Sequence, residues 1–269
     1  MKSRKLTVLS WKIIVLVFVL VCMIAALPSC KSKEKKKEEH YQKGMTLLQE
    51  GKLNEAIIEF KNAIDQDPNF ANAYYQLGLA QLEQDQPNEG YGNLIKASEL
   101  DKENLDARIR VAELYFYQGV QSGNFEKAEV EIRDILELDP QNAKAYLIQG
   151  QIFAAQATRA QQENNQQEAN KKYESALTAA QKSLEFNPDN AEPHVLLGQI
   201  FLAQEKTEEA KQAFEKAISV DPQNVQAVLS LASMAFRDQN VSEAEELYQK
   251  AWEIERENPQ ALAGMGEIY

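Results

Sequence analysis

The feature that most constrains this chain is a self-similarity that recurs in steps of about 34 residues, the spacing of a repeat array. The segment beginning at His40 (HYQKGMTLLQEGKLNEAIIEFKNAIDQDPNF) returns at His194 (HVLLGQIFLAQEKTEEAKQAFEKAISVDPQN), with glycine, alanine, aromatic, alanine and proline at matching offsets. A unit this short cannot bury its apolar face alone, so copies must stack on one another. Small residues recur where two backbones would press together: Gly44, Gly78, Gly150, Gly198 and Gly266, with Ala112 and Ala232 in the same place in other copies. Ala56, Ala128, Ala176, Ala210 and Ala244 supply the matching small surface further along each copy, and only small side chains fit such an approach. Tyr74, Tyr146, Phe60, Phe214 and Tyr248 are placed to fill the gaps between successive copies. Pro68, Pro140, Pro188 and Pro222 stop the second helix and turn the chain into the next copy.

These residues resemble the tetratricopeptide repeat, a helix–turn–helix unit of about 34 residues with small residues at positions 8, 20 and 27 and proline at 32. The resemblance implies an all-α fold, a right-handed α-solenoid of antiparallel helix pairs. The units read as 37–70, 71–104, 105–142, 143–190, 191–224 and 225–258, with a partial unit at 259–269, inside an array taken as 40–269. Gly90 at position 20, Lys102 at position 32 and Arg108 at position 4 depart from the pattern. Two units are long. The third, 105–142, has four extra residues, which fit a turn at Gly119–Asn124. The fourth, 143–190, has an excess of 14, or about two helical turns on each helix. Ala154, Ala155, Ala157 and Ala160 would then meet Ala169, Tyr173 and Ala176 below a polar tip, Gln161–Glu168; the longer hairpin either pairs only with itself or docks a partner. Pro259–Tyr269 offers Leu262, Gly266 and Tyr269 at positions 4, 8 and 11 without a second helix, which reads as the opening of a further unit in a longer array.

The N-terminus carries an address. Residues 1–12 are basic, and Ile13–Ser29 is an uncharged, mostly apolar run, the layout of a secretory signal. Leu27-Pro28-Ser29-Cys30 resembles the bacterial lipobox, with Pro28 as a departure. That resemblance implies residues 1–29 as a lipoprotein signal peptide and Cys30 as the lipidated residue. Several acyl chains there would hold the protein at a membrane. Lys31, where an acidic residue would signal inner-membrane retention, favours the outer membrane with the body facing the periplasm; an uncleaved inner-membrane anchor is the alternative. Lys31–Glu39 (KSKEKKKEE) has no apolar residue and reads as a solvated charged tether following Cys30.

Charge narrows the function. The whole chain has 29 basic and 41 acidic side chains, a formal −12. From His40 onward 20 basic and 38 acidic groups remain, a formal −18, which repels phosphate backbones and argues against nucleic acid as a partner. Two cysteines and two histidines, His40 and His194, offer no metal site and no catalytic constellation, so neither an enzyme nor a cofactor is expected. Both histidines fall at position 4, a packing place.

Recognition remains. The family resemblance implies an inner groove lined by first-helix side chains at positions 2, 5, 9, 12 and 13. Its apolar members here are Tyr41, Met45, Leu48, Tyr75, Leu79, Leu82, Ile109, Phe116, Tyr117, Leu147, Val195, Leu202, Leu229 and Phe236. With Glu83 and Glu113 as an acidic rim, they would form an apolar and aromatic trough for a hydrophobic helix or extended peptide. The family's carboxylate clamp is not matched: Tyr41, Met45, Gln76 and Asp106 stand at its places, and only Arg110 fits. The expected function is a membrane-tethered periplasmic scaffold for protein partners. Two narrower resemblances compete, the exosortase-linked exopolysaccharide lipoproteins and the pilotin-like lipoproteins of type IV pili. The alternative is a polysaccharide-binding or enzyme-associated module of an envelope export system, with Tyr41, Tyr75 and Tyr117 stacking on sugar rings.

Overall fold

The computed structural model describes residues 33–268. The expected signal peptide at 1–29, the expected lipidation residue Cys30, and Tyr269 lie outside these. The described residues are helical throughout, with no strand among them. Helix α1 covers 33–49, followed by α2 (Leu53–Gln66), α3 (Ala71–Glu83), α4 (Pro87–Leu100), α5 (Leu105–Ser122), α6 (Glu126–Leu138) and α7 (Ala143–Gln162). Then come α8 (Gln166–Phe186), α9 (Glu192–Ala203), α10 (Thr207–Val220), α11 (Val225–Arg237), α12 (Val241–Ile254) and α13 (Pro259–Ile268). None of the described helices is long and apolar enough to cross a membrane. Two compact units divide between Arg108 and Ile109.

The connections explain the period. Each second helix ends on a residue in extended conformation: Asp67, Asp139, Asn187 and Asp221, with φ of −142°, −132°, −144° and −129°. A following proline favours this, because its ring disfavours α geometry in the residue before it. Asp101 takes the same shape (φ −131°) in front of Lys102, so the missing proline at position 32 costs the turn nothing. Its carboxylate accepts from the Glu103 amide at 3.0 Å, as Asp67 does from Asn69 and Asp221 from Gln223. An asparagine three residues on caps the next helix: Asn104, Asn142, Asn224 and Asn258 accept from the amides of Ala107, Ala145, Ala227 and Ala261. The turn inside each pair is equally regular. One residue with positive φ ends the first helix in six pairs: Gly51, Asp85, Gly123, Asn164, Glu205 and Gln239. The four that are not glycine carry strain. Gln239→Gly is therefore expected to raise stability by up to ~1 kcal/mol. That is the relief of a left-handed backbone, roughly 1–2 kcal/mol, less the greater unfolded-state freedom of glycine. Urea unfolding checks it, and a lowered midpoint contradicts it.

Packing follows the period too. Phe60 and Phe214 are fully buried against Gly44 and Gly198, where an added Cβ would fall 2.6 Å from the nearest ring carbon. Ala56, Ala128, Ala176, Ala210 and Ala244 are wholly buried. Gly90 also has a structural reason: Leu82 fills the space its Cβ would occupy, 2.8 Å away. In α13 the close approach falls on Gly264, against the Tyr248 ring, while Gly266 has no atom within 4 Å of its Cβ position.

Two expectations on architecture change. The third unit's extra residues do not form a long loop; α5 continues to Ser122, one turn further, and only Gly123, Asn124 and Phe125 connect it to α6. The charged run is not a free tether from residue 33 onward. It is the start of α1, because Lys37 lays its stem on Phe70, with Nζ 4.8 Å from the ring centre, and pairs with Asp67 at 2.8 Å. Lysine buries through its methylenes, so the absence of apolar residues did not prevent packing. In the fourth unit the elongated hairpin is present, α7 with 20 residues and α8 with 21, around buried Ala157, Ala160, Ala169, Tyr173 and Ala176.

Candidate functional site

The first helices α5, α7, α9 and α11 hold a hollow of about 680 Å³ between them. Phe116 and Tyr117 come from α5; Gln151, Ala154, Ala155 and Thr158 from α7; Tyr173 from α8. Helix α9 adds Glu192, Val195, Leu196, Gln199, Ile200 and Ala203, and Asn224 and Gln226 open α11. A second hollow of about 450 Å³ shares Gln226 and runs on past Leu202, Leu229, Ser230, Ser233 and Arg237 to Gln260 and Glu267 of α13. The two form a trough along the described residues of the second unit.

The trough differs from its surroundings in charge. Charged residues make up 26% of the chain, yet Glu192 is the single charged side chain lining the larger hollow. Glu192 is neutralised by Lys144, 2.9 Å away, and Lys144 also reaches Glu113 at 3.3 Å. Burial pulls the Lys144 ammonium down, but its bonds to Glu192 and Glu113 outweigh that and leave its pKa above the ordinary lysine value. Glu113 is bonded as well to Arg110 at 3.1 Å, so the expected acidic rim is a closed ion-pair network here. Among the described residues, the side-chain amides of Gln151, Gln199 and Gln226 have no intramolecular partner. Each amide carries donors and an acceptor, so the row can bind either polar group of a peptide backbone.

Of the residues the sequence pointed to, Phe116, Tyr117 and Val195 line the larger hollow, and Leu202 and Leu229 the second. Leu147 is wholly buried in the α7–α9 core and is withdrawn as a contact residue; its position faces the neighbouring helix. Val195 and Leu229 show only 8% and 4% of their surface, so they are floor rather than wall. Phe236 packs against the Tyr248 cluster, and Ile109 is half-buried. Tyr41, Met45, Leu48, Tyr75, Leu79 and Leu82 belong to the first unit and are half-buried there. Tyr41 lies 5.9 Å from Phe60 and 5.1 Å from Phe70, Met45 and Leu48 pack on the Phe60 core, and Leu82 packs on Gly90. The glutamines and alanines were missed although they occupy the same groove positions, because an apolar criterion discards amides.

The histidines also separate. His40 is a hydrogen-bond partner, its Nδ1 2.6 Å from Glu59, which also takes Lys43 at 2.6 Å. Lys43 and then His40 hold the Glu59 carboxyl below its ordinary value. His194 is half-buried, and burial followed by nearby Lys216 keeps its imidazole below the usual range.

Comparison with known proteins agrees with this architecture. The family model for the TPR domain of cytochrome c-type biogenesis protein H matches residues 153–268, and a TPR repeat model matches 44–85. The peroxisomal targeting signal receptor of Komagataella phaffii is 32% identical over 100 residues, 37% of this chain; the match spans only 17% of the receptor's length. Solved structures resemble it over most of their length. PilF of Pseudomonas aeruginosa has 16% identity and a TM-score of 0.56, covering 88% of this chain and 99% of that one. PilW, a type IV pilus biogenesis factor, has 12% identity and a TM-score of 0.62, covering 84% and 97%. Identities this low speak to fold alone. Helix pairs, capped turns, buried small residues and two matching repeat models lead to one conclusion: residues 44–85 and 153–268 carry tetratricopeptide repeats.

Proposed function

We propose that this chain is a scaffold tethered to the bacterial envelope, whose trough on the first helices of the second unit holds an extended segment of a partner protein. The observation that carries the reading is the larger hollow of the trough, whose one charged side chain, Glu192, is paired with Lys144 in a strongly acidic body, and which is furnished with unengaged amides. Packed helices lie roughly 10 Å apart, and an extended chain covers that distance in about three residues. One amide per helix therefore suits a partner backbone crossing the helices. Tethering rests on Cys30 and the apolar run before it, and periplasmic work with outer-membrane residence on the basic Lys31. The PilF and PilW likenesses favour a role in assembling a pilus or secretion system over one in exopolysaccharide export.

Fractionation of cells tests the tether. Cys30→Ser is expected to leave the precursor unprocessed and to lower the amount of mature protein in the membrane fraction more than tenfold. An unchanged precursor pattern, with or without globomycin, contradicts lipidation. Gln199→Glu combined with Gln151→Glu tests the trough; it puts two unpaired carboxylates into the neutral stretch and is expected to cost partner capture at least tenfold without unfolding the chain.

A further inference from the structure

The long third and fourth units are one device. The first helices α3, α9 and α11 have 13, 12 and 13 residues and α1 covers 33–49, whereas α5 has 18 and α7 has 20. Their added turns pack together. The Arg159 guanidinium lies over Gly123, where its Nη1 takes the space a Cβ would need. Gln156 of α7 donates to Glu129 of α6 at 2.8 Å and accepts from Lys172 of α8 at 2.8 Å. Between these turns the larger hollow gains a recess with an aromatic wall. Phe116 and Tyr117 stand 5.5 Å apart, and Tyr117 is 62% exposed, although an aromatic of that size is normally covered. Ala154, Ala155 and Ala203 leave room beside the rings.

We propose that this recess is an anchor site for one aromatic or large aliphatic side chain, carried on an extended and uncharged polypeptide segment. The inference rests on the reading of the trough as a polypeptide site. Two polar groups at the recess are already engaged: Thr158 Oγ1 donates to the Ala154 carbonyl at 3.1 Å, and Tyr173 Oη donates to Gln161 at 3.1 Å. An apolar side chain placed against the rings has no hydration of its own to replace, whereas every hydroxyl of a sugar ring buried there must regain the bond it gave up to water. Gln151 and Gln199 lie alongside, with free amides for the flanking backbone. Uncharged flanks suit a stretch whose one carboxylate is already neutralised by Lys144.

Panning a phage-displayed library of random linear peptides against the full chain in detergent tests this. The expected result is enrichment of peptides with one large apolar residue inside an uncharged stretch. A synthetic member should bind at least tenfold more weakly to Tyr117→Ala and about equally to Tyr117→Phe, with circular dichroism unchanged in both. Peptides that lack such a residue, or that ignore Tyr117→Ala while responding to Gln199→Glu, overturn the anchor and leave the trough reading standing. Binding that ignores both changes, or no enrichment at all, overturns both. Binding of a neutral glycan on an array, abolished by Tyr117→Ala, overturns the polypeptide assignment in favour of sugar.

Discussion

Replacing Phe214 with alanine is expected to lower the stability of the chain by about 3–5 kcal/mol, the range for removing a fully buried aromatic ring. Phe214 is 0% exposed, within the cluster that joins Val195 of α9 to Ala227 and Leu231 of α11. Its ring rests on Gly198, and an added Cβ there would lie 2.6–2.8 Å from three ring atoms. Such a ring has nowhere to go, so Gly198→Ala alone should also destabilise. In the Phe214→Ala background the clash disappears, and the same glycine change should become neutral or favourable. The two effects are thus expected to depart from additivity by at least ~0.5 kcal/mol, a sign of direct contact. Urea unfolding of the four variants reads this. Simple additivity would mean that the ring and the glycine do not meet as described.

Tyr173→Ala is expected to cost a similar amount, about 3–5 kcal/mol. Tyr173 is 2% exposed at the centre of the elongated hairpin, packed with Ala157, Ala160, Ala169 and Ala176. Tyr173→Phe keeps the ring and removes one hydroxyl bonded to Gln161, so it should cost only about 0.5–1.5 kcal/mol. Stacked repeats depend mainly on their neighbours. Amide exchange is therefore expected to accelerate most in α7, α8 and α9 of the alanine variant, with α12 and α13 little changed. Uniform acceleration across α7–α13 would show instead that the unit opens as one cooperative block.

The fold was legible in the sequence because its signals are local and repeated. Close approach needs glycine or alanine, and turns need an aspartate or proline followed by asparagine, wherever the copy sits. The recognition surface was less legible for the opposite reason. A position in the repeat names a direction, while burial depends on the neighbour: position 5 is Leu147, fully buried, in one unit and half-buried Tyr41 in another. Choosing apolar residues at groove positions selected floor and core, and passed over Gln151, Gln199 and Gln226. The two length excesses were visible separately, but nothing in either segment announced that the Gly123 turn would lie under Arg159. Lys37 shows a similar limit, since a lysine stem that covers Phe70 has the same letter as one in solvent.

Site-specific photocrosslinking in intact cells tests the central claim most directly. A photoreactive residue placed at Gln199, in the trough, is compared with one at Glu215, an exposed position on α10 outside both hollows. A discrete protein adduct is expected from Gln199, lost when Gln151→Glu is added, and none from Glu215. Adducts of equal yield from both positions, or from Glu215 alone, would contradict it.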